Sequence, residues 1–138
     1  MKKLLLTGVA APFLAIGTVH ATDELKADDL FHKLWEECGE QEGIPGAIAV
    51  CVLEKEKVFG KELEQVYKKA LALAGANDTL LRESQRSWLK YQESTCKMHE
   101  ILSSREGTVY GRSAKASCLL STTLDRLWEL RQIITALE

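Results

Sequence analysis

Four cysteines constrain this chain more than any other feature: Cys38, Cys51, Cys96 and Cys118. They are spread across segments that otherwise read as helix. An even number of cysteines in a small exported chain reads as two disulfides. Three pairings are open. Cys38–Cys51 with Cys96–Cys118 is favoured, because each bond then joins neighbouring helices across one connection. Closing loops of roughly 15 to 20 residues would contribute about 3 kcal/mol each by restricting the unfolded chain. Zinc is the competing use of these thiols. The one tight ligand spacing is Cys96-x-x-His99, with no CxxC pair, so no metal site is expected.

Export is read from the first residues. Lys2 and Lys3 form a basic start, Leu4 to Val19 is mostly small or apolar, and Val19-His20-Ala21 puts small residues where a signal peptidase reads. Cleavage is expected near Ala21, so residues 1–21 are a signal peptide and residues 22–138 one small domain. The apolar run is short for a membrane span and contains Pro12, so no stable membrane anchor is expected. The localisation is then periplasmic or secreted. Removing 21 of 138 residues leaves 117, enough for a modest core. The 18 basic residues lose Lys2 and Lys3, so 16 face 20 acids, a net charge of −4. Residues 22–64 hold 12 acids and 5 bases, whereas residues 65–138 hold 8 acids and 11 bases. An acidic first half argues against nucleic acid and against anionic membranes, and suits a cationic protein partner.

Helical periodicity runs through the mature chain. Residues 23–38 place Leu30, Leu34 and Cys38 on one stripe, with Phe31 and Trp35 beside it and Asp28, Asp29, Glu36 and Glu37 facing away. Gly39 and Gly43-Ile44-Pro45-Gly46 break this helix. A second helix is expected from Ala47 to Ala74. Its apolar start, 47–53, could also be a strand, but Leu63, Val66, Tyr67, Ala70 and Leu71 are plainly helical. Gly60 inside it reads as a kink or a close helix contact. Gly75 ends it, and Asn77, Asp78 and Thr79 offer caps for a third helix.

The third helix carries the most distinctive stretch, Ser84-Gln85-Arg86-Ser87-Trp88-Leu89-Lys90-Tyr91-Gln92-Glu93-Ser94-Thr95-Cys96. Leu81, Ser84/Gln85, Trp88, Tyr91/Gln92 and Thr95 recur at helical spacing. Leu63, Tyr67, Trp88, Tyr91 and Leu127 are expected in the structural core; a ligand site built on Trp88 is the alternative. Residues 103–115 read as a polar loop. A last helix, 116–137, repeats Leu120, Leu124, Leu127 and Ile134. The expected fold is all-α: a small antiparallel bundle of three long helices plus a shorter N-terminal one, with two disulfides.

No GxSxG, Gly-rich phosphate loop or HExxH motif is present, and His32 and His99 are the mature chain's histidines. Neither an enzyme nor a cofactor is expected. A binding role would fall to the 103–115 loop, with Arg105, Glu106, Thr108, Tyr110 and Arg112 as partner-binding candidates. Tyr and Arg are common interface anchors.

Cys51, Leu63, Tyr67 within Leu-x-x-x-Tyr-Lys-Lys, Ser84 to Tyr91 with Cys96, Gly107-Thr108, Cys118 and Arg126-x-x-x-Leu130 together resemble the LprI-type lysozyme-inhibitor N-terminal domain, over about residues 38–135. The resemblance implies a small exported helical protein with paired cysteines, in agreement with the favoured pairing. It also implies a binding protein that inhibits lysozyme by occluding its cleft. An envelope interaction or immunity-type protein with another partner is the alternative. The chain departs from the family pattern at Gly60, commonly acidic, and at Glu106-Gly107-Thr108, commonly Gly-Gly-Ser/Thr. The first helix has no counterpart.

Overall fold

The computed structural model describes residues 26–40, 43–44, 46–103 and 107–138. The expected signal peptide, residues 1–21, lies outside the described residues. Four helices follow one another: α1 (Ala27–Gly39), α2 (Ala47–Ala74), α3 (Asp78–Ser103) and α4 (Val109–Leu137), with a 3₁₀ turn, Gly75–Asn77, between α2 and α3. No strand occurs among the described residues, so the all-α expectation holds. The apolar start of α2 is helical, because Ala49 and Val52 bury one side while Val50 is 58% exposed.

Cross-helix bonds fix the directions. Glu56 pairs with Thr123, Glu62 with Arg131 and Lys69 with Glu138, so α2 and α4 run parallel. Gln92 reaches Thr122 and Gln85 reaches Arg126, so α3 runs antiparallel to α4. Lys55 holds Glu37 at 2.6 Å, and α1 runs antiparallel to α2. That bond also accounts for acids at the C-terminal end of α1, where the helix dipole disfavours them. The Glu37 carboxyl is held below its usual value by its bond to Lys55 and then by the Lys55 charge.

The disulfides are Cys38–Cys51 and Cys96–Cys118, with Cα separations of 5.7 and 5.3 Å. The parallel register of α2 and α4 sets both at about the same level. One apolar cluster surrounds that level: Leu34, Cys38, Ala49, Val52, Ala116, Leu120 and Leu124. Phe31 and Trp35 stack and close it from α1. The second cluster lies toward the other end and has no cross-link: Leu63, Ala70, Leu81, Leu127, Leu130 and Ile134. Phe59 touches both.

Three expectations are corrected. α4 begins at Val109, not 116, because Thr108 caps it: its side chain accepts the Gly111 N–H at 3.2 Å. Tyr91 is 56% exposed and not part of the core. The inward face of α3 is Leu81, Gln85, Trp88, Gln92 and Cys96, so Gln92 takes the place expected for Tyr91. Leu63 and Leu127 are buried, and Tyr67 and Trp88 are half-buried against the second cluster. Gly60 lies within the unbroken helix α2 and meets no other helix; a Cβ there would find only the Glu56 carboxylate, at 3.4 Å.

Arg126 is 3% exposed. Its guanidinium donates to Gln85 Oε1 at 2.9 Å, Ser84 Oγ at 3.0 Å and Glu129 Oε2 at 2.7 Å. A buried cation requires such partners. Ser84-Gln85 on α3 and Arg126 on α4 therefore act as one lock between the helices.

Candidate functional site

At the cross-linked end α2 and α4 begin and α3 finishes. Gly46 (φ 81°) starts α2 and Gly107 (φ 76°) precedes the cap of α4; these left-handed conformations suit glycine. Glu100 fastens this end. It is 6% exposed, Oε1 accepts the Gly107 N–H at 3.4 Å, and Oε2 lies 3.3 Å from Lys115 Nζ and 3.6 Å from Lys97 Nζ. Burial raises its pKa. The bond to Lys115, the Gly107 N–H and the charges of Lys115 and Lys97 outweigh that and hold it below its usual value.

The first turn of α4 stands on this base. Arg112 donates from Nη1 to Gly107 O, and its backbone N–H donates to Thr108 O at 2.9 Å. Tyr110 is 78% exposed, so its ring is presented to solvent and not folded onto the bundle. On the side of α4 that carries Arg112, Lys115 and Leu119 lies a groove of about 670 Å³, with Ile44, Val50, Leu53 and Leu119 as apolar lining and Glu100, Arg112 and Lys115 as its polar groups; Tyr110, two residues before Arg112, faces another side of the helix. Ile44, Val50, Ile101 and Leu102 are 64, 58, 50 and 76% exposed. The end therefore offers uncovered apolar surface with the cations Arg112 and Lys115 beside it.

Of the expected partner-binding residues, Thr108, Tyr110 and Arg112 share the start of α4, a capped helix instead of a loop, with Tyr110 and Arg112 on different sides of it. Thr108 is committed to capping. Arg105 and Glu106 lie outside the described residues. Glu100, Lys115 and the apolar residues Ile44, Val50 and Leu102 were not singled out in the sequence. Glu100 carried a signal: it lies one helical turn beyond Cys96, on the inward face of α3. Among the described residues no group of His, Cys, Asp and Glu is placed to hold a metal ion, and no helix is long and apolar enough to cross a membrane.

A family model described as lysozyme inhibitor LprI matches residues 38–130, more than half of the chain. No curated protein and no solved structure matches. The matched range takes in both disulfides and the Ser84-Gln85-Arg126 lock, and leaves nearly all of α1 outside.

Proposed function

Because the chain belongs to the LprI lysozyme-inhibitor family, we propose that it binds lysozyme with the end of the bundle at which α4 begins. The observation that carries this reading is the exposure of Tyr110 on a braced helix start whose Arg112 borders an uncovered apolar groove. Glycoside hydrolases of the lysozyme kind work with two carboxylates in a cleft. Arg112 supplies a cation for such a cleft, and Tyr110 an amphipathic anchor. The bracing lowers the ordering cost on binding. Asp28, Asp29, Glu36 and Glu37 on α1 favour the approach of a cationic enzyme, an effect on association rate more than on final affinity. Occlusion of the cleft then needs no catalytic group in the inhibitor. Export by a signal peptide ending near Ala21 belongs to the same reading, since disulfides persist in oxidising compartments.

The test is the double variant Tyr110→Ala, Arg112→Ala in oxidised residues 22–138. Inhibition of lysozyme should weaken markedly while the unfolding midpoint stays within experimental error. Inhibition equal to that of the wild-type chain would overturn the assignment.

A further inference from the structure

α2 and α3 flank α4 without closing over it, and toward the second cluster they leave a groove of about 350 Å³. Glu56, Gly60 and Tyr67 line one wall, Gln85, Trp88 and Gln92 the other, and Thr123 lies between. Three polar groups there are oriented by bonds made behind them. Gln85 Oε1 accepts from Arg126 Nε at 2.9 Å. Arginine only donates, so the oxygen's direction is fixed and Gln85 Nε2 is left without a protein partner among the described residues.

Gln92 is fixed in the opposite sense. Its Nε2 lies 2.9 Å from Thr122 Oγ1 and 3.0 Å from Thr123 Oγ1. Thr122 donates its proton to Cys118 O at 2.8 Å, and Thr123 donates to Glu56 Oε1 at 3.2 Å. Both hydroxyls must then accept from Gln92, whose Oε1 remains free. Glu56 uses Oε1 on Thr123 and keeps Oε2. The groove thus offers one amide donor, one amide acceptor and the Glu56 carboxylate, prearranged beside Trp88 and Tyr67; Glu64, paired with Lys68, also lines it.

We propose that this groove binds a neutral oligosaccharide. A sugar hydroxyl donates and accepts at once, which suits a site offering both roles. The apolar C–H face of a pyranose ring suits aromatic walls. An anion would meet the Glu56 and Glu64 carboxylates, and the opposed amide donor and acceptor match hydroxyl groups rather than a cation, which only donates. An extended peptide presents main-chain groups about every 3.3 Å, whereas Gln85 and Gln92 are spaced about 10 Å along α3, too far apart to form a ladder.

The test uses oxidised residues 22–138 titrated with cellotriose, maltotriose and chitotriose. Amide side-chain resonances of Gln85 and Gln92 and the Trp88 indole report binding. At least one trisaccharide should shift all three in a saturable way. Gln85→Glu keeps an oxygen for Arg126 and removes the donor; it should weaken that binding by about ten-fold, the loss of one hydrogen bond, while the helical fold is retained by circular dichroism. Three results would overturn the proposal: no shift at these groups for any trisaccharide at millimolar concentration, equal affinity in Gln85→Glu, or displacement of the sugar from the groove by a neutral extended peptide.

Discussion

The two ends of this bundle are held by different forces. Around Leu63, Ala70, Leu81, Leu127, Leu130 and Ile134, α2, α3 and α4 are joined by packing, with no covalent tie. Around Cys38–Cys51 and Cys96–Cys118, four helices are tied twice at one level. That cross-linked end also leaves Ile44, Val50, Leu102 and Tyr110 exposed. Apolar side chains left in solvent contribute nothing to folding, so the packed cluster around Leu34, Val52 and Leu120 is reinforced at this end. Disulfides and the buried Glu100 supply the reinforcement. Both ends therefore have a packed core, but the end proposed to bind is also cross-linked, whereas the other rests on packing and ion pairs.

That contrast can be broken experimentally. Replacing either cystine by serines should cost about 3 kcal/mol, read by denaturant unfolding, and the double replacement should cost the most of any change here. Leu130→Ala at the packed end should cost about 2–5 kcal/mol. The two perturbations should be additive, since distant sites seldom couple. Strong coupling between Leu130→Ala and reduction would mean that the ends are not separate.

Acid sharpens the same contrast. The Glu100 carboxyl is held below its usual value, so the folded chain binds fewer protons there than the unfolded chain. Its stabilisation is complete above the ordinary value of 4.5 and is lost as the pH falls through the lower folded value. Glu100→Gln should flatten this part of the acid limb in a series of thermal midpoints, and hydrogen exchange should quicken first at the start of α4. Gly60→Ala, on the open wall of α2, should raise stability by about 1 kcal/mol, since the new Cβ meets only the Glu56 carboxylate. A loss of stability there would show a constraint on α2 not accounted for by these contacts.

Helices α2 and α3 were legible because their apolar spacing recurs over many turns, despite Gly60 and the strand-like start of α2, and the cystines because sequential pairing spans single connections. The start of α4 was hidden by composition. Gly107, Gly111 and Ser113 read as loop residues, yet Thr108 caps a helix that Gly111 enters as a buried residue. Periodicity narrowed one position on α3 to Tyr91 or Gln92. The hydroxyls of Thr122 and Thr123 opposite decide for Gln92, and a single helix cannot reveal them. The open groove was equally invisible, since it depends on how far α2 and α3 stand apart over α4. Arg126 appeared only in the family resemblance; its burial depends on Ser84 and Gln85, some forty residues away in sequence.

The most direct test of the division between the ends is hydrogen exchange of oxidised residues 22–138 with and without lysozyme. Added protection is expected at the start of α2, the end of α3 and the first turn of α4 around Tyr110 and Arg112, with exchange at residues 127–137 unchanged. Protection confined to the packed end, or none in the presence of excess lysozyme, would contradict the account.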